Sequence, residues 1–297
     1  MIVFASGAYQ SMAAAIGKTS ERALGKFRTA RFENGEMHVE VQTSPLNEHC
    51  LILGSIAPPD EQLVSVLLLA HTLKKEGARR VIAAFPYLAY ARHDKDKPGE
   101  SLAAAWAGAL IQASGIDQLI TVDVHSERAK ALFQVPVISL SPAELFAEVL
   151  RGHSLRDATI VAPDGGAIGR CQAVKVAAGL ADDQIPYFEK HRTPTGITHS
   201  GPLGEVGRRV VMVDDILDTG GTLLSACEKL RAAGVGDISI MVTHGLFTGE
   251  RWKALWRLGV KRIFCTDSVP LPAGLDADRI VRLPLAPLLE FTLRGLA

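Results

Sequence analysis

The sequence VVMVDDILDTGGTL, at residues 210–223, joins a short apolar run to two adjacent acids and a loop with two glycines. Residues 210–213 are apolar and mostly β-branched, which predicts a buried strand of a parallel sheet rather than a helix. The two acids follow at the carboxyl end of that strand, where open α/β sheets bind ligands. From Thr222 the sequence becomes helical, and loop amides at the start of a helix bind anions. The segment therefore predicts a strand–loop–helix unit that holds a sugar phosphate, with amides on the phosphate and carboxylates on the hydroxyls; an ordinary capped turn is the structural alternative.

Composition limits the class of protein. The 297 residues suffice for two domains, and 47% hydrophobic with 22% charged residues is typical of a soluble globular enzyme. Lys+Arg and Asp+Glu balance at 32 each, so we expect neither a nucleic-acid partner nor a membrane partner. The four cysteines are scattered without a CxxC pair, which favours a cytoplasmic location over a disulfide framework or a zinc site. The longest charge-free helical stretch, residues 101–116, is shorter than a membrane span and predicts a buried helix.

Strand-like runs alternate with helical segments along the whole chain, which predicts parallel sheets with helices on both faces. A weak internal repeat, glycine and basic residues leading into a strand, occurs before residues 81, 210 and 263. We expect two α/β domains in tandem, residues 1–140 and 141–297, and the last segment of the second could pack back on the first.

Two other strand ends carry polar groups. Asp123 and His125 follow an apolar strand, and on an extended chain their side chains would share one face; a packed or solvent-exposed histidine is the alternative. Asp164 ends another strand before two glycines, which predicts a second phosphate loop with bare amides, or simply a turn. Two such loops suggest a substrate with phosphates at both ends.

Two charged segments could meet those phosphates. Lys190 and Arg192 alternate on an extended segment, either as a solvated edge strand or as a cation pair that offsets charge on a transferred phosphoryl group. Residues 86–100 form a dense charged connection that predicts a mobile lid, or else a hydrophilic loop.

Together these segments resemble the ribose-phosphate pyrophosphokinase family along residues 4–293, and the loop after residue 213 by itself also resembles type I phosphoribosyltransferases. The matching segments are FENGE at 32–36, YARHD at 90–94, VDVH at 122–125, PDGG at 163–166, Lys190-x-Arg192, VDDILDTGGT at 213–222, THG at 243–245 and APLL at 286–289. The resemblance implies an α/β fold of two tandem phosphoribosyltransferase-like domains, each a mostly parallel sheet flanked by helices.

The resemblance also implies a reaction, in which ribose 5-phosphate and ATP give phosphoribosyl pyrophosphate and AMP with Mg²⁺ as cofactor. It implies catalytic roles for Lys190 and Arg192, and metal ligation by His125 and Asp164. The ATP-binding residues would be Phe32, Asn34, Glu36, Arg92, His93, Asp94 and Lys95. The pyrophosphate loop would be Asp164, Gly165, Gly166 and Ala167, and ribose 5-phosphate would bind Asp214, Asp215, Asp218, Thr219, Gly220, Gly221 and Thr222. Because the family's FENGE-type loop lies against ATP in a neighbouring subunit, the resemblance implies a homo-oligomer, at least a dimer and in many members a hexamer.

The chain departs from the family pattern at several places. His93 replaces the usual glutamine, and Asp96 stands where a second cation is common, which puts the ATP contacts of that loop in doubt. Residues 43–46 lack the arginine of phosphate-activated members, and the chain ends at Ala297 without their C-terminal tail. We therefore expect weak or absent activation by inorganic phosphate and weak or absent allosteric regulation by ADP.

Two other functions remain open from sequence. A type I phosphoribosyltransferase would consume the same activated sugar, although it needs neither a second domain nor the segments around Phe32 and Arg92. A non-catalytic regulatory homologue would have no reason to keep all four of the residues Lys190, Arg192, His125 and Asp164.

Overall fold

The computed structural model describes residues 1–20, 22–153, 155–180, 184–193 and 196–296, of which residues 190, 192, 193, 196 and 197 are described by their backbone only. The chain divides into two compact units. The first contains Met1–Leu140 and Pro284–Ala297, and the second contains Ser141–Leu283. The final segment of the chain is thus part of the first unit.

The first unit is a parallel sheet with helices. Its strands are β1 Ile2–Ala5, β2 Ala23–Leu24, β3 Phe27–Arg31, β4 Met37–Val41, β5 His49–Leu53, β6 Arg80–Ala84, β7 Gln118–Val122 and β8 Val137–Leu140. Its helices within residues 1–140 are α1 Gln10–Ser20, α2 Glu61–Lys75, α3 Ala103–Ala113 and α4 Glu127–Ala131, with a 3-10 turn at Gly7–Tyr9. Six strands pair in the order β2-β1-β5-β6-β7-β8, all in parallel, and β3 and β4 form a separate antiparallel hairpin.

The second unit repeats this architecture. It contains α5 Ala143–Gly152, β9 Thr159–Val161, α6 Ile168–Ala177, β10 Tyr187–Thr193, β11 Gly196–Leu203, β12 Arg209–Leu217, α7 Gly221–Ala232, β13 Asp237–Gly245, β14 Val260–Thr266 and β15 Ile280–Leu283, with 3-10 turns at Gly165–Ala167 and Arg251–Trp256. Five strands pair in parallel in the order β15-β14-β13-β12-β9, and β10 pairs with β11 in an antiparallel hairpin. The two parallel sheets confirm the predicted α/β fold.

The apolar runs of the second sheet are explained by burial of both faces. On β12, Val210 and Met212 pack into one core cluster, whereas Val211 and Val213 pack into the cluster on the opposite face. Successive side chains of a strand point to opposite faces, so a strand covered on both sides is apolar at every position. This is why four apolar residues in a row precede the acids.

Helix α8, Ala286–Arg294, belongs to the first unit and packs against α1. Glu290 on α8 is only 3% exposed, and its carboxylate lies 2.7 Å from the Nη1 atom of Arg22 and 3.0 Å from the Nε atom of Arg294. Because a buried carboxylate is costly unless it is paired, these contacts fix the helix in place.

One element differs from its sequence-based prediction. Helix α3 is not fully buried, because only Ala104, Ala107, Gly108 and Ile111 face the core while Trp106 is 50% exposed. The exposed side of α3 also carries no charged residue, so the absence of charge in the sequence does not distinguish this helix from a fully buried one. No helix among the described residues has the length and apolar character needed to cross a membrane.

Candidate active site

The predicted sugar-phosphate loop, residues 214–222, connects β12 to α7. Strand β12 extends to Leu217, so Asp214 and Asp215 lie within the strand rather than after it. Asp214 still pairs with Val242 of β13. The loop proper is therefore Asp218–Gly220, and α7 begins at Gly221. Strand, short loop and helix follow each other as the motif predicts.

Gly220 is the residue that shapes this loop. Its φ of 84° lies in the left-handed region, and a Cβ atom built on it would lie 3.0 Å from the Cα and Cβ atoms of Trp252. Trp252 is 3% exposed and packs edge-on against Phe247, so it cannot withdraw easily. The position requires glycine both for the turn and for the close approach. Gly221 is an ordinary first residue of the helix.

Asp214 and Asp215 are buried, with 8% and 7% exposure. The backbone N–H of Asp215 donates to Oδ1 of Asp214 at 3.0 Å. Burial raises the pKa of Asp214 well above its usual range; the carboxylates of Asp215 and Asp164 raise it further, and the Arg170 guanidinium opposes them. This group is therefore costly to ionise until a ligand supplies hydrogen-bond donors or positive charge.

Arg170 is a site residue that the sequence-based assignment missed. It lies on α6, and its Nη2 atom is 3.7 Å from Oδ2 of Asp215, with 18% of its side chain exposed. The carboxylates of Asp215 and Asp164 and the guanidinium of Arg170 all lie near enough to Asp214 to act on its charge. The place of Arg170 one helical turn after a glycine-containing phosphate loop is the signal that could have identified it.

The second predicted phosphate loop, residues 164–167, is folded on itself. Oδ1 of Asp164 accepts a hydrogen bond from Gly166 N at 2.9 Å, and the carbonyl of Asp164 accepts from Ala167 N at 3.2 Å. The prediction of bare amides is therefore wrong for Gly166 and Ala167, because the acid that precedes the glycines caps the turn. A phosphate would have to replace the Asp164 carboxylate at the amide of Gly166.

The predicted cation pair lies on the hairpin of β10 and β11. Lys190 pairs with His199 and Arg192 pairs with Ile197 across the hairpin. Being two residues apart on one strand, they belong to the same face of β10. The side chains of Lys190 and Arg192 lie outside the described part of the chain. Strand β11 lies against α7, the helix that begins at the sugar-phosphate loop.

In the first unit, the FENGE loop is the turn between β3 and β4. The N–H of Phe32 donates to the carbonyl of Glu36 at 2.9 Å, and Oδ1 of Asn34 accepts from Glu36 N at 3.1 Å. The Phe32 side chain is 56% exposed, and its ring centroid lies 5.5 Å from that of His38. The turn is thus rigid at its backbone and presents an aromatic ring to the outside.

The connecting segment, residues 86–102, is partly packed rather than wholly hydrophilic. Tyr87, Leu88, Ala89 and Ala91 are buried, Arg92 and His93 are exposed, and Asp94 is only 6% exposed. Exposure is continuous only from Lys95 to Ser101. The segment predicted as a mobile lid is therefore continuously exposed only at this tip, and Asp94, a predicted ATP-binding residue, is buried.

His125 is exposed and stands just before α4. Asp123 has a φ of 48°, so the chain is not extended there, and the prediction that Asp123 and His125 share the face of a strand is wrong. The N–H of Asp123 donates to Leu140 O at 2.8 Å, and the chain turns away from β7 at this residue. Among the described residues, no three histidine, cysteine, aspartate or glutamate side chains are grouped as a metal site.

The cysteines carry no chemistry at these loops. All four are buried, and burial raises the pKa of Cys50 to about 11 and that of Cys227 and Cys265 to about 12. The pKa of the Cys171 thiol is also raised by burial. Neutral buried thiols are poor nucleophiles.

Comparison with known proteins covers both units. Residues 1–115 match the N-terminal domain of ribose phosphate pyrophosphokinase, and residues 156–294 match the phosphoribosyl synthetase-associated domain. The chain is 30% identical over 298 residues to the ribose-phosphate pyrophosphokinase of Ralstonia nicotianae, with 98% of this chain and 93% of that protein covered. It is 31% identical over 271 residues to that of Methanothermobacter thermautotrophicus, with 90% and 93% covered. The crystal structure of phosphoribosylpyrophosphate synthetase from Mycobacterium smegmatis superposes with a TM-score of 0.85 at 26% identity, covering 99% of this chain and 98% of the other. With its parallel sheets, its glycine-dependent loop and relatives matched along nearly their whole length, this chain belongs to the ribose-phosphate pyrophosphokinase family.

Proposed function

We propose that this protein transfers the pyrophosphoryl group of ATP to the C1 hydroxyl of ribose 5-phosphate, giving phosphoribosyl pyrophosphate and AMP. The observation that carries the proposal is the loop of residues 214–222, with Gly220 in the left-handed region beside two buried acids, in a chain of this family. Neither a phosphoribosyltransferase nor a non-catalytic homologue finds support among the named relatives. The expectation of weak phosphate and ADP regulation finds no support there either and stays a prediction.

The sugar binds in the second unit under this proposal. Amides at residues 218–222 and the start of α7 hold the 5-phosphate, because the N–H groups at the start of a helix attract anions. Asp214 and Asp215 accept hydrogen bonds from the ring hydroxyls, and those donors favour the charged form of Asp214. The ring hydroxyls of the sugar thus replace water as hydrogen-bond donors to the two buried acids.

The transfer itself moves one group intact. The C1 oxygen attacks the β-phosphorus of ATP and forms a new P–O bond, while the bond from that phosphorus to the α–β bridging oxygen breaks. The bridging oxygen leaves on AMP, and the proton of the C1 hydroxyl is released to the solvent. Lys190 and Arg192 stabilise the charge that grows on the transferred group and on the bridging oxygen.

We propose Mg²⁺ as the cofactor, held by His125 and Asp164. A carboxylate oxygen suits this hard cation, and Mg²⁺ bound by few protein ligands takes its other ligands from water and substrate phosphates. The exposed His125 and the half-buried Asp164 fit such an open set of ligands. The metal supplies charge compensation for the triphosphate. The residues that would contact ATP are Phe32, Asn34, Glu36, Arg92, His93 and Lys95; Asp94 is buried and does not belong to this set.

We also propose a cytoplasmic homo-oligomer, at least a dimer. The support is the exposed ring of Phe32 at the tip of the β3–β4 hairpin, which suits a contact with nucleotide bound by a neighbouring copy. Light scattering coupled to size exclusion tests this, and a monomer at assay concentration would contradict it.

Product analysis tests the function. Incubation with ribose 5-phosphate, ATP and Mg²⁺ should form AMP without any added base, and chelation of the metal should stop it. Product formation that requires a nucleobase would favour the phosphoribosyltransferase.

A further inference from the structure

Asp94 is the one acid of the connecting segment that is buried. Its residue exposure is 6%, whereas Arg92, His93 and Lys95 around it are exposed. A carboxylate is costly to bury unless hydrogen bonds compensate it. Its contacts therefore indicate what the segment is attached to.

The partner of the Asp94 carboxylate is Ser126, the residue after His125. The Ser126 hydroxyl donates to Oδ2 of Asp94 at 2.5 Å and accepts from Ala129 N at 2.9 Å as the N-cap of α4. A hydroxyl has one proton and two lone pairs, so both of these bonds can form at once. Because the bond to a carboxylate is charge-assisted, it is of the stronger kind.

A second bond joins the same two segments. Nε of Arg128 donates to the backbone carbonyl of Asp94 at 2.8 Å. On the other side, His93 is held by helix α3, since its carbonyl accepts from Ala104 N at 3.2 Å. Residues 93 and 94 are therefore pinned, while the tip from Lys95 to Ser101 is exposed on the far side of the pins.

We propose that Asp94 is a positioning residue rather than a ligand of ATP. It locks the connecting segment, residues 86–102, to the segment that carries His125. Through Ser126 it fixes the backbone on which Arg92 and His93 stand next to the backbone that carries His125. The two groups that meet the nucleotide phosphates then approach as one body, and only the tip has to move. The catalytic consequence rests on the proposed function; the lock itself does not.

Five variants test the lock: Asp94→Ala, Ser126→Ala, their double mutant, Ser126→Asp and Ser126→Thr. Aspartate is a good helix N-cap but has no hydroxyl proton, and its charge would face Asp94. If Ser126 is only a cap, Ser126→Asp behaves like wild type; if it is the lock, Ser126→Asp is at least as damaging as Ser126→Ala. Ser126→Thr keeps the hydroxyl and both of its bonds, and should behave like wild type.

Hydrogen exchange of the full-length protein is the first measurement. Both single variants should speed amide exchange in residues 90–95 and also in 123–129, and the double mutant, which like Ser126→Ala also lacks the cap of α4, should exchange no faster than Ser126→Ala. Asp96→Ala, an exposed acid two residues away, is the matched control and should leave residues 123–129 at the wild-type rate. Exchange changes that stay within the mutated segment would overturn the lock.

Steady-state kinetics are the second measurement. Each single variant should lower kcat/KM for MgATP by about 10- to 100-fold, the scale of a lost hydrogen bond to a charged group. The double mutant should be no worse than the worse single variant, and KM for ribose 5-phosphate should be unchanged. Additive losses, or a loss in Asp94→Ala alone, would instead make Asp94 a direct ATP ligand. A wild-type protein that forms no AMP would refute the proposed function, while hydrogen exchange would still decide on the lock.

Discussion

Replacing Gly220 with alanine should destabilise the second unit and weaken the sugar-phosphate site together. The alanine would have to adopt a φ of 84°, and its Cβ atom would lie 3.0 Å from the Cα and Cβ atoms of the buried Trp252. The left-handed conformation costs a non-glycine residue about 1–2 kcal/mol. Overpacking against a buried neighbour costs about 1–3 kcal/mol more, so we expect a loss of about 2–5 kcal/mol.

Gly234→Ala provides a matched control on the same helix. Gly234 follows the C-terminus of α7 with a φ of 83°, and nothing lies within 4 Å of a Cβ built on it. This variant should therefore lose only the backbone contribution of about 1–2 kcal/mol. The difference between the two variants isolates the contact with Trp252.

Urea denaturation measures the free energy of unfolding, and steady-state kinetics measure the KM of each substrate. Where Gly220→Ala still folds, KM for ribose 5-phosphate should rise at least 10-fold, because the amides of the loop move with the turn, while KM for ATP should stay within about 2-fold. Gly234→Ala should leave both KM values unchanged. Equal destabilisation of the two variants, or an unchanged KM for ribose 5-phosphate in Gly220→Ala, would refute the account of this loop.

Two further predictions concern the charges of the site. Lys190→Ala should lower kcat by about 10²–10³-fold with little change in either KM, the scale of one lost donor to the transition state, and an unchanged kcat would remove its assigned role. Asp214→Asn should raise KM for ribose 5-phosphate and make stability less dependent on pH. Burial and the neighbouring acids raise the pKa of Asp214 in the folded protein. The unfolded chain therefore ionises this group first, and the free energy of unfolding falls as pH rises from the ordinary pKa near 4 towards the raised one. The free energy of unfolding of Asp214→Asn, measured by urea at pH 4 and pH 7, should therefore fall less over this interval than that of the wild type; an equal fall in both proteins would contradict the raised pKa.

Periodicity and loop chemistry predict what depends on neighbouring residues. The alternation of apolar runs and helices predicts the parallel sheets, and VDDILDTGGT predicts a strand, a loop and a helix start. The boundary of β12 differs because strand pairing with β13 continues through the acids, which a pattern of apolar residues does not register. The site is foreseeable at this level because its groups lie near the carboxyl ends of strands.

Features that depend on distant partners are not visible in local sequence. Asp94 resembles its charged neighbours, yet it is buried because Ser126 and Arg128 reach it from a segment far along the chain. Likewise, the positive φ of Asp123 is set by its bond to Leu140, and α8 joins the first unit through Arg22. Arg170 is one basic residue among many until the fold sets it beside Asp215.

Phosphorus NMR of the reaction mixture tests the central claim most directly. With ribose 5-phosphate, ATP and Mg²⁺, the account predicts AMP in equal amount to a sugar that carries a diphosphate on C1 and a monophosphate on C5. Formation of ADP with a sugar bisphosphate would show transfer of a single phosphoryl group, and that result would contradict the account.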